Sequence, residues 1–154
     1  MNGLSRTLIA TAILVALPVV ASATCPSYAT SGAPLSYSAE SAYLPQSTTV
    51  VAGGNVDLGT CAEVPGFGHI VESPDFTMQY QDLGMGRSLE IRVNADGNAV
   101  LLVNPANGQW LFNDDTNGLN PAIRINGAAS GQYDIWVGTF GAPTCNAQLI
   151  VETF

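Results

Sequence analysis

"SLEIRVNADGNAVLLVNPANGQWLF", Ser88–Phe112, is the stretch whose reading decides the fold class. Leu89, Ile91 and Val93 alternate with Glu90, Arg92 and Asn94, the period of two that a half-buried strand requires. Asp96-Gly97 follows, and Asp-Gly between two such runs signals a hairpin. Ala99–Val103 then resumes as a continuous apolar run, which reads as a buried strand. Pro105 and Asn107-Gly108 turn the chain again, and Gln109–Asn113 reads as a further short strand with Trp110 and Phe112 on one face.

The same grammar extends in both directions. Val50–Cys61 reads as strand, Gly-Gly turn and short strand. Two more strands are expected around His69–Glu72 and Phe76–Gln81, the second with Phe76, Met78 and Tyr80 on one face. Ala122–Asn126 is a strand. In "GQYDIWVGTF", Tyr133, Ile135 and Val137 alternate with Asp134, Trp136 and Gly138, and "AQLIVETF" closes the chain. No stretch carries helical periodicity. Some eight to ten short strands separated by turn residues predict an all-β, antiparallel sandwich or jelly roll.

The first residues set the compartment. Arg6, the apolar run Leu8–Leu17, Pro18 and Ala21-Ser22-Ala23 form the charged, apolar and small-residue regions of a secretory signal peptide. The apolar run is shorter than the roughly 20 residues that span a bilayer. Thr24 precedes Cys25, which makes a poor lipoprotein signal. The expected organisation is a signal peptide over 1–23, an extended lead-in over 24–48 and a β domain over 49–154. The mature chain would then be periplasmic or secreted, with no membrane insertion.

Without residues 1–23, which carry one arginine, 131 residues remain with a net charge of −9 and no lysine. That is one domain with enough length to bury a core. A surface this acidic repels nucleic acid and anionic lipid, favours cationic partners and keeps the chain soluble; a monomer is expected. Three cysteines, Cys25, Cys61 and Cys145, allow one intramolecular disulfide in an oxidising compartment and leave one thiol over. Cys25–Cys61 is the favoured pair because both lie in the N-terminal portion and would tie down its loose start; Cys61–Cys145 is the alternative.

From about Asp75 to Thr153 the order of motifs resembles the bacterial pre-peptidase C-terminal domain. The features that carry this are Asp75-Phe76 opening a strand, the pair Leu89–Val93 and Ala99–Val103, "NPANGQWLFNDDTNG" with its double-Asp turn, "NPAIRI", the Gly-Xaa-Tyr-Xaa-Ile-Xaa-Val strand of "ASGQYDIWVGTF", and an alternating terminal strand. The resemblance implies a compact, non-catalytic β-sandwich of the kind appended to exported hydrolases, with calcium bound in some relatives. No protease precedes the domain in this sequence, so a free-standing exported module is expected.

One loop is a candidate ion site. Asn113, Asp115, Asn117 and Gly118 match the first half of a calcium loop, with alternate oxygen ligands before a glycine bend. The position that should hold a bidentate glutamate is Arg124, and strands flank the loop, so it is not an EF-hand. A β-loop calcium site would draw on Asp114, Asp115, Asn117 and Asn120, with Asp75 approaching from elsewhere in the sheet. The competing reading is a plain turn, since Asp, Asn and Gly are the ordinary turn residues.

Catalytic patterns are missing. His69 is the only histidine and has no nucleophile motif beside it. Adjacent carboxylates in a turn do not face each other across a gap as a glycosidase requires, and neither a P-loop nor a dinucleotide fingerprint occurs. The aromatic residues Trp110, Trp136, Tyr133 and Phe140 suggest a sugar-stacking surface. Trp136 lies on the strand face opposite Tyr133 and is the expected outward residue, with Trp110 the second ligand-binding candidate. The chain is therefore expected to be a non-catalytic binding module for a surface component, a polysaccharide or an exported partner protein. The alternative is a periplasmic protease inhibitor or an accessory or chaperone of an exported protease.

Overall fold

The computed structural model describes residues 24–154; the expected signal peptide lies outside them. These residues fold as two packed sheets. The larger has seven strands: β1 (Ala33–Ser38), β3 (Val56–Asp57), β4 (His69–Ile70), β5 (Phe76–Gln81), β7 (Ala99–Asn104), β8 (Leu111–Asn113) and β10 (Gly131–Thr139). The smaller has four, in the order β2 (Gln46–Ala52), β11 (Cys145–Thr153), β6 (Leu89–Ala95) and β9 (Ala122–Ile125). The pairing is antiparallel except between β1 and β5. This is the expected all-β sandwich.

The alternation read in β6 is real: Leu89, Ile91 and Val93 point into the space between the sheets. They meet Phe76, Met78 and Tyr80 of β5, Tyr133, Ile135 and Val137 of β10, and Leu149 and Val151 of β11. The apolar run of β7 divides differently. Ala99, Leu101 and Val103 enter this core, while Val100 and Leu102 point out of the far side of the seven-stranded sheet into a second cluster with Val56, Leu58, Cys61, Ile70 and Trp136. A strand covered on both faces reads as a continuous apolar run, and β7 is covered on both.

Two expectations change. Asp96-Gly97 does not close a hairpin. β6 pairs with β11 and β9, and β7 pairs with β10 and β8, so the turn carries the chain from one sheet to the other. Gly97 lacks the positive φ that the two-residue hairpin turn demands. The lead-in over 24–48 is also more ordered than its sequence suggests. Its Ala33–Ser38 forms β1 along β5, and the Gly32 N–H donates to Thr77 Oγ1 at 3.0 Å.

The second cluster exists because Cys25 and the segment Leu58–Val64 pack over the outer face of the seven-stranded sheet, against Val100, Leu102 and Trp136. Cys25 and Cys61 are disulfide-bonded, closing a separation of 36 residues; Cys145 is free. The bond fits a protein that folds in an oxidising, exported setting. Among the described residues no helix is long and apolar enough to cross a membrane.

Replacing both Cys25 and Cys61 with serine is expected to lower the unfolding free energy by about 3–4 kcal/mol, from the chain entropy released in a loop of this length. Urea titration followed by tryptophan fluorescence reads this directly. A loss below about 1 kcal/mol would show that packing alone holds the covering layer.

Candidate functional site

The covering layer creates the most unusual surface of the molecule. Trp136 points to the outer face of β10 but is fully buried, at 0% exposure. Its indole N–H donates to the Glu72 carbonyl at 3.3 Å. The expectation that Trp136 faces solvent is therefore corrected: the strand period places it opposite Tyr133, but residues 56–72 roof that face. Trp110 is half-buried, with ring centroids 5.3 Å from Trp136 and 5.9 Å from Tyr28.

From Trp110 the aromatics continue outward. Phe112, two residues along from Trp110, meets Phe67 edge-on at 5.2 Å, and Phe67 meets Phe140 at 5.5 Å. Tyr28, Phe67 and Phe140 are 61%, 42% and 54% exposed. Tyr28 with Trp110, and Phe112 with Phe67 and Phe140, thus form two aromatic groups that together make a ridge on the outside of the seven-stranded sheet, where Trp110 and Phe112 both pack against the second cluster. Gly66 makes this possible: its φ is +105°, and a Cβ there would run into the Phe112 ring. Beside the ridge, Cys25, Tyr28, Cys61, Glu63, Val64 and Trp110 line a cleft of about 330 Å³. The sequence hinted at Trp110 and Phe140 but not at Tyr28 or Phe67. An exposed phenylalanine inside the glycine-rich "PGFGH" was the available signal for the latter.

The candidate ion loop follows β8 directly. Its ends are stapled by side-chain amides. Asn113 Oδ1 accepts from Thr116 Oγ1 at 2.8 Å and from the Ala122 N–H at 3.0 Å. Asn120 Oδ1 accepts from the Ala95 N–H at 3.0 Å. Asn117 and Asn120 exchange backbone hydrogen bonds around Gly118, whose φ of +63° suits the first central position of a type II′ turn. Asp114 is half-buried and Asp115 exposed.

Asp75 is not brought to this loop. Its Oδ2 accepts from the Val137 N–H at 2.7 Å on β10. Val137 pairs with Leu101, and Leu101 with Asn113. With strands about 4.8 Å apart, β7 holds the Asp75 carboxylate about 10 Å or more from Asn113. Sequence spacing gave no warning of the intervening strand. Among the described residues, no three His, Cys, Asp or Glu side chains converge as a metal-binding group.

His69 sits on β4 opposite Asp57 and Thr139, and among the described residues no Ser, Thr or Cys side chain hydrogen-bonds to it. Asp134 is buried and satisfied by Thr77 Oγ1 at 2.8 Å and Gln132 Nε2 at 3.0 Å. It is part of the sheet's packing.

No family model matches the chain, and no curated protein does. Among solved structures, the chain is similar to the pre-peptidase C-terminal domain of a collagenase from Bacillus anthracis, at 12% identity and a TM-score of 0.43, covering 79% of this chain and 96% of that one. It is also similar to PliG of Aeromonas hydrophila, a periplasmic lysozyme inhibitor of g-type lysozyme, at 13% identity and a TM-score of 0.40, over 80% and 99% of the two chains. The first is the domain type whose motif order the sequence resembles. Both likenesses are of fold.

Asp75 makes a pH prediction. Desolvation by burial raises its pKa from 3.8 to about 6, against the lowering effect of the Val137 hydrogen bond. A carboxyl whose folded pKa is raised stabilises the fold most below its unfolded value and loses that contribution as pH rises through the folded one. The melting midpoint is expected to carry a falling component between about pH 4 and pH 6.5, set by that shift. Asp75→Asn, which keeps an acceptor for Val137, should remove that component. An unchanged pH profile in the variant would assign the titration elsewhere.

Proposed function

We propose that this chain is an exported, non-catalytic binding module that holds a partner protein on the aromatic ridge of its seven-stranded sheet. The observation that carries the reading is the ridge: the pair Tyr28–Trp110 and the trio Phe112–Phe67–Phe140, with three of the five rings open to solvent. Exposed apolar side chains grouped on a small domain mark an interaction surface. Aromatic side chains supply large, rigid contact area and recur as the anchors of interfaces.

The rim narrows the partner. Glu63 lines the cleft, Glu72 lies beside Tyr28 through the Ser27–Glu72 backbone bond, and Asp114 and Asp115 follow Phe112 closely. No lysine or arginine occurs from Thr24 to Gly86, from Val93 to Ile123, or after Arg124. Carboxylates around aromatic faces suit a surface bearing lysine or arginine, by charge and by cation–π contact. An exported enzyme held in this way would make the chain its inhibitor or accessory. A polysaccharide is the second reading, favoured by the cleft beside Trp110. Tyr28 and Trp110 pack on each other, so a sugar ring would stack on their outer faces rather than between them.

Equilibrium binding against purified basic exported proteins, with insoluble polysaccharides in parallel, tests both. A basic partner should bind saturably and more weakly as salt rises. Tyr28→Ala with Phe140→Ala, both at exposed rings, should weaken it by about 30-fold, the effect of losing about 2 kcal/mol of anchor contact. Stoichiometric loss of a protease's activity would single out the inhibitor role. Sedimentation with polysaccharide alone would transfer the reading to sugar, and binding indifferent to the ridge would end both.

Calcium belongs to the same reading as a loop ligand. Asp114, Asp115 and Asn117 are the side chains left to hold it, since the Asn120 oxygen already serves Ala95 and Asp75 lies two strands away. Such a site would be completed by water. Calcium at ten times its Kd stabilises a folded domain by about 1.4 kcal/mol, which for this length is about 3–5 °C in the midpoint. That rise should be absent in Asp115→Ala. An unmoved midpoint in millimolar calcium would leave the loop as the asparagine-stapled turn described above.

A further inference from the structure

Every open sheet must end in strands with one unpaired edge, and such edges recruit other strands unless they are guarded. Four of the five marginal strands here are guarded. β1 carries Pro34, β3 is two residues long and carries Asp57, β8 is three residues long, and β9 is four residues long and carries Arg124. β2 is different. Gln46–Ala52, "QSTTVVA", is seven residues long, is rich in β-branched side chains, and has neither a charge nor a proline. It pairs with β11 on one side and, among the described residues, with no strand on the other.

The core is also unfinished along this margin. On the inward face of β2, Thr48 and Val50 are half-buried, whereas Leu149 and Val151 on the neighbouring β11 are buried. On the outward face Val51 is 59% exposed.

We infer that β2 is a strand-addition interface and that its occupant is a second copy of this chain, paired antiparallel about Thr49. The sequence is suited to that symmetry. Thr49 would meet Thr49, Thr48 would meet Val50, Ser47 would meet Val51, and Gln46 would meet Ala52. Each pair joins residues of the same sheet face, so the two small sheets become one of eight strands, with β-branched neighbours across the seam. Charge selects the self-pair. An acidic chain repels its own copy over most of its surface, but β2 bears no charge. On the outward face its nearest rows are Val51 with Asn146, Thr49 with Gln148 and Ser47 with Ile150. Farther in, Arg92 pairs with Glu90 and Glu152, and Arg124 with Glu90. Asp96, which accepts from Asn146, is the carboxylate that lines a groove with Thr49, Val50 and Val51, and it lies beyond β11 from the paired edge.

Sedimentation velocity of the exported protein from micromolar to millimolar concentration tests this. A Cys145→Ser background excludes thiol cross-links. The mass should move from one chain to two as concentration rises. Thr49→Lys and Thr49→Glu, each at an exposed side chain, should hold the mass at one chain by placing like charges opposite each other. Their melting curves should match the parent's. Mixed in equal amounts, the two variants should recover the dimer. A parent that stays at one chain at millimolar concentration, or a Thr49→Lys variant that dimerises like the parent, would falsify the proposal. Capture of an extended peptide by a strictly monomeric parent would likewise replace it.

Discussion

The structure depends on one constraint: the seven-stranded sheet carries apolar side chains on both faces. Leu101, Ile135 and Val137 need the four-stranded sheet, while Val100, Leu102 and Trp136 need something on the other side. A two-layer sandwich would leave those three to water. Chain from both sides of β1 supplies the missing layer, and the Cys25–Cys61 bond fixes its two parts together. Burying a tryptophan and its neighbours makes the layer favourable, and the disulfide lowers the entropy of the chain that must settle there.

That third layer explains what could and could not be read from the sequence. Periodicity reports which side of a strand a residue occupies, and it did so correctly for Leu89, Ile91, Val93, Tyr133 and Trp136. It does not report what covers that side, so Trp136 was expected at the surface and lies in a core. Strand identity was legible for β6 and β7, but their membership of different sheets depends on partners 30 to 40 residues away for β7 and 52 to 64 for β6, and Asp96-Gly97 carries no mark of that. β1 was missed although Leu35 and Tyr37 alternate with Ser36 and Ser38 and pack against the core, because the run is short and sits in a segment rich in Ser, Ala and Pro; its order comes from the parallel ladder with β5. The disulfide was legible because both cysteines lie in the N-terminal portion, whose loose start a bond between them ties down.

The candidate site was legible only in part for the same reason. Trp110, just before β8, and Phe112 on it share a face, which the alternation showed. Tyr28 and Phe67 come from the covering layer, where no period exists, and tertiary contact alone brings them into line with β8. Asp114 and Asp115 stand out in sequence as a pair, yet the polar atoms with defined work in that loop are the oxygens of Asn113 and Asn120, which hold backbone N–H groups. Chemistry-bearing residue types drew the eye to the carboxylates, whereas the geometry gives the amides the structural role.

The distribution of charge then separates the two faces. All three arginines of residues 24–154 are engaged away from the ridge: Arg87 packs over Tyr43 and donates to the Ala39 carbonyl, Arg92 bridges Glu90 and Glu152, and Arg124 lies over Phe154 near Glu90. The four-stranded sheet is thereby close to electrically balanced, while Glu63, Glu72, Asp114 and Asp115 around the ridge have no basic neighbour to offset them. Exposed ion pairs contribute little stability, so the arrangement matters more for recognition than for folding. A cationic surface approaching the molecule is drawn to the ridge side, and a second copy meets least repulsion along β2. Under the two proposals, the ridge and the β2 edge of one small sandwich would select different partners by charge before any contact is made.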